Sequence, residues 1–81
     1  MDWRQYIHSD PKILLGKPTV KGTRLSVEFI LGLFANGWTR QQVLENYPGL
    51  TPESVQAVFV FVAECIQDES LYMLPFLSES A

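Results

Sequence analysis

Apolar residues recur at helical spacing in three stretches of this chain, and each stretch follows a residue that caps helices well. The first stretch places on one face Val27, Ile30, Leu31 and Phe34. Ser26 before it is a good N-cap, and Gly37 after it is a typical helix terminator. The pattern therefore predicts a first helix that ends near Asn36.

Two further helices are predicted by their own start signals. Thr39 and Gln42 have the spacing of a capping box, which opens a short helix that must stop before Pro48. The segment Thr51-Pro52-Glu53 supplies an N-cap, a proline for the first turn and an acidic residue near the positive helix end. We therefore predict a second, short helix and a third helix that continues to about Glu64.

The third helix is apolar on nearly all sides. One stripe at helical spacing is formed by Val55, Val58, Phe59, Val62 and Ile66. Other apolar residues cover much of the remaining surface, namely Ala57, Val60, Phe61 and Cys65. A helix of this kind must be buried on more than one side. Because three helices cover only one side, we expect a second copy of the chain on the other, with the stripe as the homodimer interface.

An arm of short extended pieces precedes the helices. Gly16, Pro18 and Gly22 punctuate it. Residues 19–25 fit either two short strands about a turn at Gly22 or an irregular arm that lies over the helices, and both interpretations stay open. The predicted fold is mainly α, a dimeric trihelical unit with an N-terminal β arm, in one domain of 81 residues. We divide it into an arm (1–25), the trihelical unit (26–67) and a tail (68–81).

The tail contains an apolar run, residues 71–77, that one proline interrupts. It either packs on its own dimer or docks on another protein. In an extended conformation one side of it would carry Tyr72, Leu74 and Phe76. We treat these side chains as candidate docking residues for a protein partner.

The charges are divided between the two halves of the chain. All six basic residues lie in residues 1–40, whereas residues 41–81 contain acidic residues and no base. Attraction to nucleic acid must therefore come from the first half. We expect at most weak nucleic-acid contact, through Lys17, Lys21, Arg24 and Arg40.

The sequence provides little catalytic chemistry. With one histidine and one cysteine, it has no zinc-ligand set, and its glycines form no phosphate-binding loop. We expect no enzyme activity, cofactor or metal. No signal-peptide pattern or spanning stretch is present, so we expect a cytoplasmic protein without membrane contact.

The second and third helices, joined by residues 47–50, have the size and connection of a helix-turn-helix pair. The start of the third helix, where base contacts would form, offers Glu53 and Gln56 but no Lys or Arg. Because phosphate repels a carboxylate, direct reading of a DNA groove by this helix is disfavoured.

Several motifs in combination resemble one protein family. They are Asp10-Pro11, Gly16-Lys17-Pro18, Lys21-Gly22-Thr23-Arg24-Leu25-Ser26-Val27, Gly37-Trp38-Thr39 and Tyr47-Pro48-Gly49-Leu50-Thr51. Over about residues 6–64, the chain resembles the family called domain of unknown function 433. The resemblance implies a homeodomain-like trihelical fold and an antitoxin that binds a small PIN-like nuclease toxin, with weak promoter binding as a further expectation. The family motif maps onto residues that would shape the arm, Gly16, Pro18, Gly22, Thr23 and Arg24.

We therefore expect an antitoxin-like homodimer that neutralises a PIN-like toxin. Two alternatives remain. The chain could be a helix-turn-helix DNA-binding regulator without a toxin, or a stand-alone dimeric association module.

Overall fold

Three helices follow a short two-stranded sheet. The computed structural model describes residues 1–68. The elements are β1 (Ile7–His8), β2 (Thr19–Val20), α1 (Val27–Ala35), α2 (Arg40–Asn46) and α3 (Pro52–Gln67). One 3-10 turn, Trp3–Gln5, precedes β1, and a second, Leu14–Gly16, lies between β1 and β2. The prediction of a mainly helical fold with a small N-terminal sheet is confirmed.

The three predicted helix starts are also confirmed. The Ser26 hydroxyl accepts a hydrogen bond of 2.9 Å from the backbone N–H of the third residue of α1. Thr39 and Gln42 form the predicted capping box, with reciprocal bonds of 3.1 and 2.8 Å. At α3, Thr51 forms a second box with Ser54, at 3.1 and 2.9 Å. Each box satisfies two backbone N–H donors that would otherwise lack partners at a helix start.

The strand partner of β2 was not predicted. β2 pairs antiparallel with β1, with Ile7 opposite Val20 and His8 opposite Thr19. Residues 20–25 close a tight turn, in which the Val20 N–H donates to the Leu25 carbonyl at 3.0 Å. Of the two open interpretations, the turn about Gly22 is present, with one antiparallel bridge between Thr19 and Ser26, but the two-stranded sheet is made with an earlier segment.

The core draws on both strands and all three helices. Nine apolar side chains in it are each at most 5% exposed: Ile7, Val20, Val27, Ile30, Val43, Leu50, Val55, Ala57 and Val58. Three polar residues are buried beside them, namely Thr19, Ser26 and Ser54. Each of these three hydroxyls is hydrogen-bonded, as burial of a polar group requires.

The N-terminal 3-10 turn covers part of the second half of α3. The Trp3 ring meets Phe61 edge to face, with 4.7 Å between centroids, and the Trp3 indole N–H donates to the Glu64 carboxylate. The Arg4 guanidinium lies 4.5 Å from the centre of the Trp3 ring. The chain's own N-terminus thus covers part of the far side of α3, where the sequence pattern led us to expect a second copy of the chain.

Candidate interaction surfaces

Side chains of α1 and α3 form an apolar surface that reaches solvent. We call it the apolar face and define it as Leu31, Phe34, Phe59, Val62 and Ile66. Phe34 and Phe59 join the two helices, with 5.2 Å between ring centroids. Leu31 and Val62 line a cleft of about 380 Å³ beside them. Phe59 and Ile66 are 37% and 43% exposed, so the face has apolar area that a partner can cover.

The structure divides the five predicted interface residues into two groups. Val55 and Val58 are 0% exposed within the chain's own core, so they have no surface to offer a second chain. Their placement in a dimer interface is corrected for this reason. The other three, Phe59, Val62 and Ile66, share one side of α3 and belong to the apolar face.

Thr23 of the family motif fixes the turn after β2. Its hydroxyl donates to the Val20 carbonyl at 2.8 Å and accepts from the Leu25 N–H at 3.1 Å. Its methyl group lies close to the loop before α3, because a Cβ added at Gly49 would be 3.2 Å from it. The structure thus brings the motif that contains Thr23 next to the motif that contains Gly49, and both motifs have structural roles at this contact.

Three of the other motif residues also shape the arm. Gly16 and Gly22 have φ angles of 84° and 79°, a region that favours glycine. The Pro18 carbonyl accepts a 2.9 Å hydrogen bond from the Val27 N–H and so connects the arm to the start of α1.

A left-handed turn with two exposed leucines ends at Gly16. We call residues 14–16 the leucine turn. Leu14 and Leu15 have φ angles of 51° and 57° and are 41% and 95% exposed. The left-handed conformation costs an L-residue roughly 1–2 kcal/mol. Burial does not offset this cost for Leu15. The sequence does not indicate this conformation, because a leucine gives no signal for positive φ.

Two of the four predicted nucleic-acid contacts lie together next to this turn. A shallow hollow of about 320 Å³ is lined by Leu14, Lys17, Arg24, Leu25, Ser26 and Phe29. The Lys17 ammonium is 3.7 Å from a carboxylate oxygen of Glu28, and both side chains are mostly exposed. Lys21 is exposed in the turn after β2. Such exposed charges are available to a partner, since a surface ion pair adds little stability.

Arg40 lies at the start of α2, where its guanidinium donates to the Gln56 side-chain oxygen at 3.2 Å. The α2 and α3 helices are consecutive and are joined by a short connection, as in a helix-turn-helix. At the start of α3, however, Ser54 is buried in the capping box, and the exposed residues include Glu53. This end of α3 therefore offers DNA a carboxylate and an amide that already has a partner.

Within residues 1–68, no group of three or more His, Cys, Asp or Glu residues is arranged to hold a metal ion. In the same part of the chain, the buried Nε2 of His8 has no hydrogen-bond partner. None of the helices described is long and apolar enough to cross a membrane. The candidate docking residues Tyr72, Leu74 and Phe76 lie outside the described residues.

Comparisons with known proteins agree with the resemblance. The family described as "Protein of unknown function (DUF433)" matches residues 7–62. A crystal structure of a DUF433 member protein from Anabaena variabilis has a TM-score of 0.70 and 26% identity, over 76% of this chain and 61% of that one. The uncharacterized protein y4eO of Sinorhizobium fredii is 33% identical over 58 residues, which are 72% of this chain. This chain spans about a quarter, 26%, of the length of that relative. The chain belongs to the DUF433 family.

Proposed function

We propose that this DUF433 protein is antitoxin-like and has no enzyme activity: it forms a homodimer and binds and neutralises a small PIN-like nuclease toxin in the cytoplasm. The observation that supports a binding role is the apolar face. Five apolar side chains from two helices form it, and Phe59 and Ile66 keep more than a third of their surface exposed. Contiguous exposed apolar surface of this kind marks protein contacts. The toxin as partner rests on the family resemblance.

The homodimer uses one side of α3, from Phe59 onward. Phe59, Val62 and Ile66 lie along one side of this helix, so a two-fold axis next to it would bring the same three side chains of two copies together. A small domain gains stability from such an assembly because it buries a limited core alone. The trihelical unit is homeodomain-like in this proposal.

Weak contact with promoter DNA is a secondary role. Lys17 and Arg24 share one hollow, and Lys21 is exposed in the next turn along the chain. Three such cations provide sequence-independent attraction to phosphate. The order of α2 and α3 favours the alternative of a DNA-binding regulator without a toxin, but Glu53 and the bonded Gln56 make sequence reading by α3 the weaker hypothesis.

The test is co-expression with the product of the neighbouring gene. We expect the two proteins to co-purify and the chain to restore growth that the partner inhibits. Phe59→Glu should reduce self-association, whereas the matched control Glu45→Ala, on the exposed side of α2, should behave as the wild type. If the folded wild-type chain neither binds its neighbour nor restores growth, the antitoxin proposal is wrong.

A further inference from the structure

Leu15 occupies a position that is unfavourable for a leucine in two independent ways. Its side chain is 95% exposed, more than any other large apolar residue within residues 1–68. Its backbone has a φ of 57°, in the region where glycine and asparagine are favoured. Either of those residues would build the same turn with less strain. The contacts within residues 1–68 therefore give no reason for a leucine here, and backbone strain of this kind concentrates at binding sites.

The surroundings of the leucine turn have their own chemistry. Beside it lies the shallow hollow, whose apolar lining includes Leu25 and the 43% exposed Phe29. Lys17 and Arg24 border the same hollow. Residues 10–28 contain four basic residues and two acidic residues, one of which, Glu28, lies 3.7 Å from Lys17, so this region keeps a net positive charge.

We propose that the leucine turn and the adjacent hollow form a second docking surface, which binds a protein partner through an apolar pocket bordered by carboxylates. Leu15 enters the pocket of the partner, and Lys17 and Arg24 face its carboxylates. An apolar side chain of the partner occupies the hollow. This inference rests on the proposed function in one respect, because the partner is the toxin-like product of the neighbouring gene.

The shape of this surface favours a protein over a membrane or a nucleic acid. A projecting leucine next to a concave hollow fits a partner with a complementary solid surface. A bilayer offers no side chain for the hollow, and one leucine provides little apolar area for stable membrane binding. Phosphates would pair with Lys17 and Arg24 but would leave Leu15 without a contact.

The decisive variant is Leu15→Asn, with Leu15→Met as its matched control. Asparagine tolerates positive φ, so we expect a melting temperature equal to or above that of the wild type. Affinity for the neighbouring gene product, measured by titration calorimetry, should fall at least about tenfold because the apolar contact is lost. Methionine keeps an apolar side chain of similar reach, so its affinity should stay within about threefold of wild type. Arg24→Gln should slow association and reduce its salt dependence.

Five results would overturn the inference. If the wild type binds its neighbour and Leu15→Asn binds equally well, this surface is not used, although the proposed function stands. If the wild type binds no neighbour, both proposals fail. Loss of stability in Leu15→Asn would show that the leucine serves the fold. If Leu15→Asn instead abolishes self-association, the occupant is a second copy of the chain. If it abolishes binding to vesicles of phosphatidylcholine and phosphatidylglycerol, the occupant is a membrane.

Discussion

The contact between the N-terminal 3-10 turn and α3 should contribute measurably to stability. Trp3 makes three contacts: an edge-to-face ring contact with Phe61 at 4.7 Å, a hydrogen bond to Glu64, and a cation–π contact with Arg4 at 4.5 Å. Trp3→Ala removes all three at once. We expect this variant to fold with reduced stability and to expose the second half of α3.

The size of the effect follows from these contacts. An edge-to-face aromatic pair contributes about 0.5–1.5 kcal/mol beyond the area that it buries. A fully buried tryptophan loses about 3–5 kcal/mol on truncation to alanine, and Trp3 is only half-buried, so roughly half of that applies. The bond to Glu64 is exposed, which limits its contribution to a few tenths of a kcal/mol. Because these contributions overlap, we expect a loss of about 2–3 kcal/mol, or roughly 10–20 °C in melting temperature.

Urea unfolding followed by far-ultraviolet circular dichroism would measure this loss without depending on the fluorescence of the tryptophan that is removed. Trp3→Phe is the matched control, because it keeps the ring contact and loses the indole donor, so about half of the stability should return. Glu64→Gln keeps an acceptor and should change stability by less than about 1 kcal/mol. A Trp3→Ala variant within about 0.5 kcal/mol of the wild type would refute the reasoning and show that the turn does not protect α3.

Three further predictions test the proposed function. Phe59→Glu should stay folded, because this residue is already 37% exposed, but should sediment as a monomer; a well-folded wild-type monomer at micromolar concentration would contradict the dimer. The double variant Lys21→Ala with Arg24→Ala should weaken any DNA binding equally for all sequences in a mobility-shift titration. A change of sequence preference in Gln56→Ala, without an effect of that double variant, would instead support groove reading by α3. A chain that ends at Ser70 should stay folded and self-associate but lose its toxin, and collapse of the truncated chain would assign the tail to the core.

The helices could be predicted because their signals are local. A capping box such as Thr39 with Gln42 is complete within four residues, so the sequence alone contains both partners of its hydrogen bonds. The strand β1 has no such signal. It is two residues long, too short for any alternation to show, and its partner Val20 lies far along the chain.

The apolar face was predictable only in part, because local signals do not show which side chains the tertiary fold covers. Helical spacing places Val58 and Val62 on the same side of α3, but it does not indicate which part of the helix the core encloses. Val58 is fully buried, whereas the side chains after it are partly exposed. The cover over Phe61 comes from Trp3, and that contact depends on the tertiary fold rather than on any local pattern.

Leu15 and Gly16 show how a local conflict between residue and backbone can be informative. The two neighbours occupy the same left-handed region, at φ angles of 57° and 84°. At position 16 the chain has the residue that this backbone favours, and the agreement explains the glycine without any ligand. At position 15 it has a leucine that is strained and exposed, and neither the turn nor the core explains it. Natural sequences break such local rules mainly at functional sites, and the rest of the fold compensates for the lost stability. Leu15→Asn should therefore separate stability from binding, whereas a substitution at Gly16 should affect the fold first.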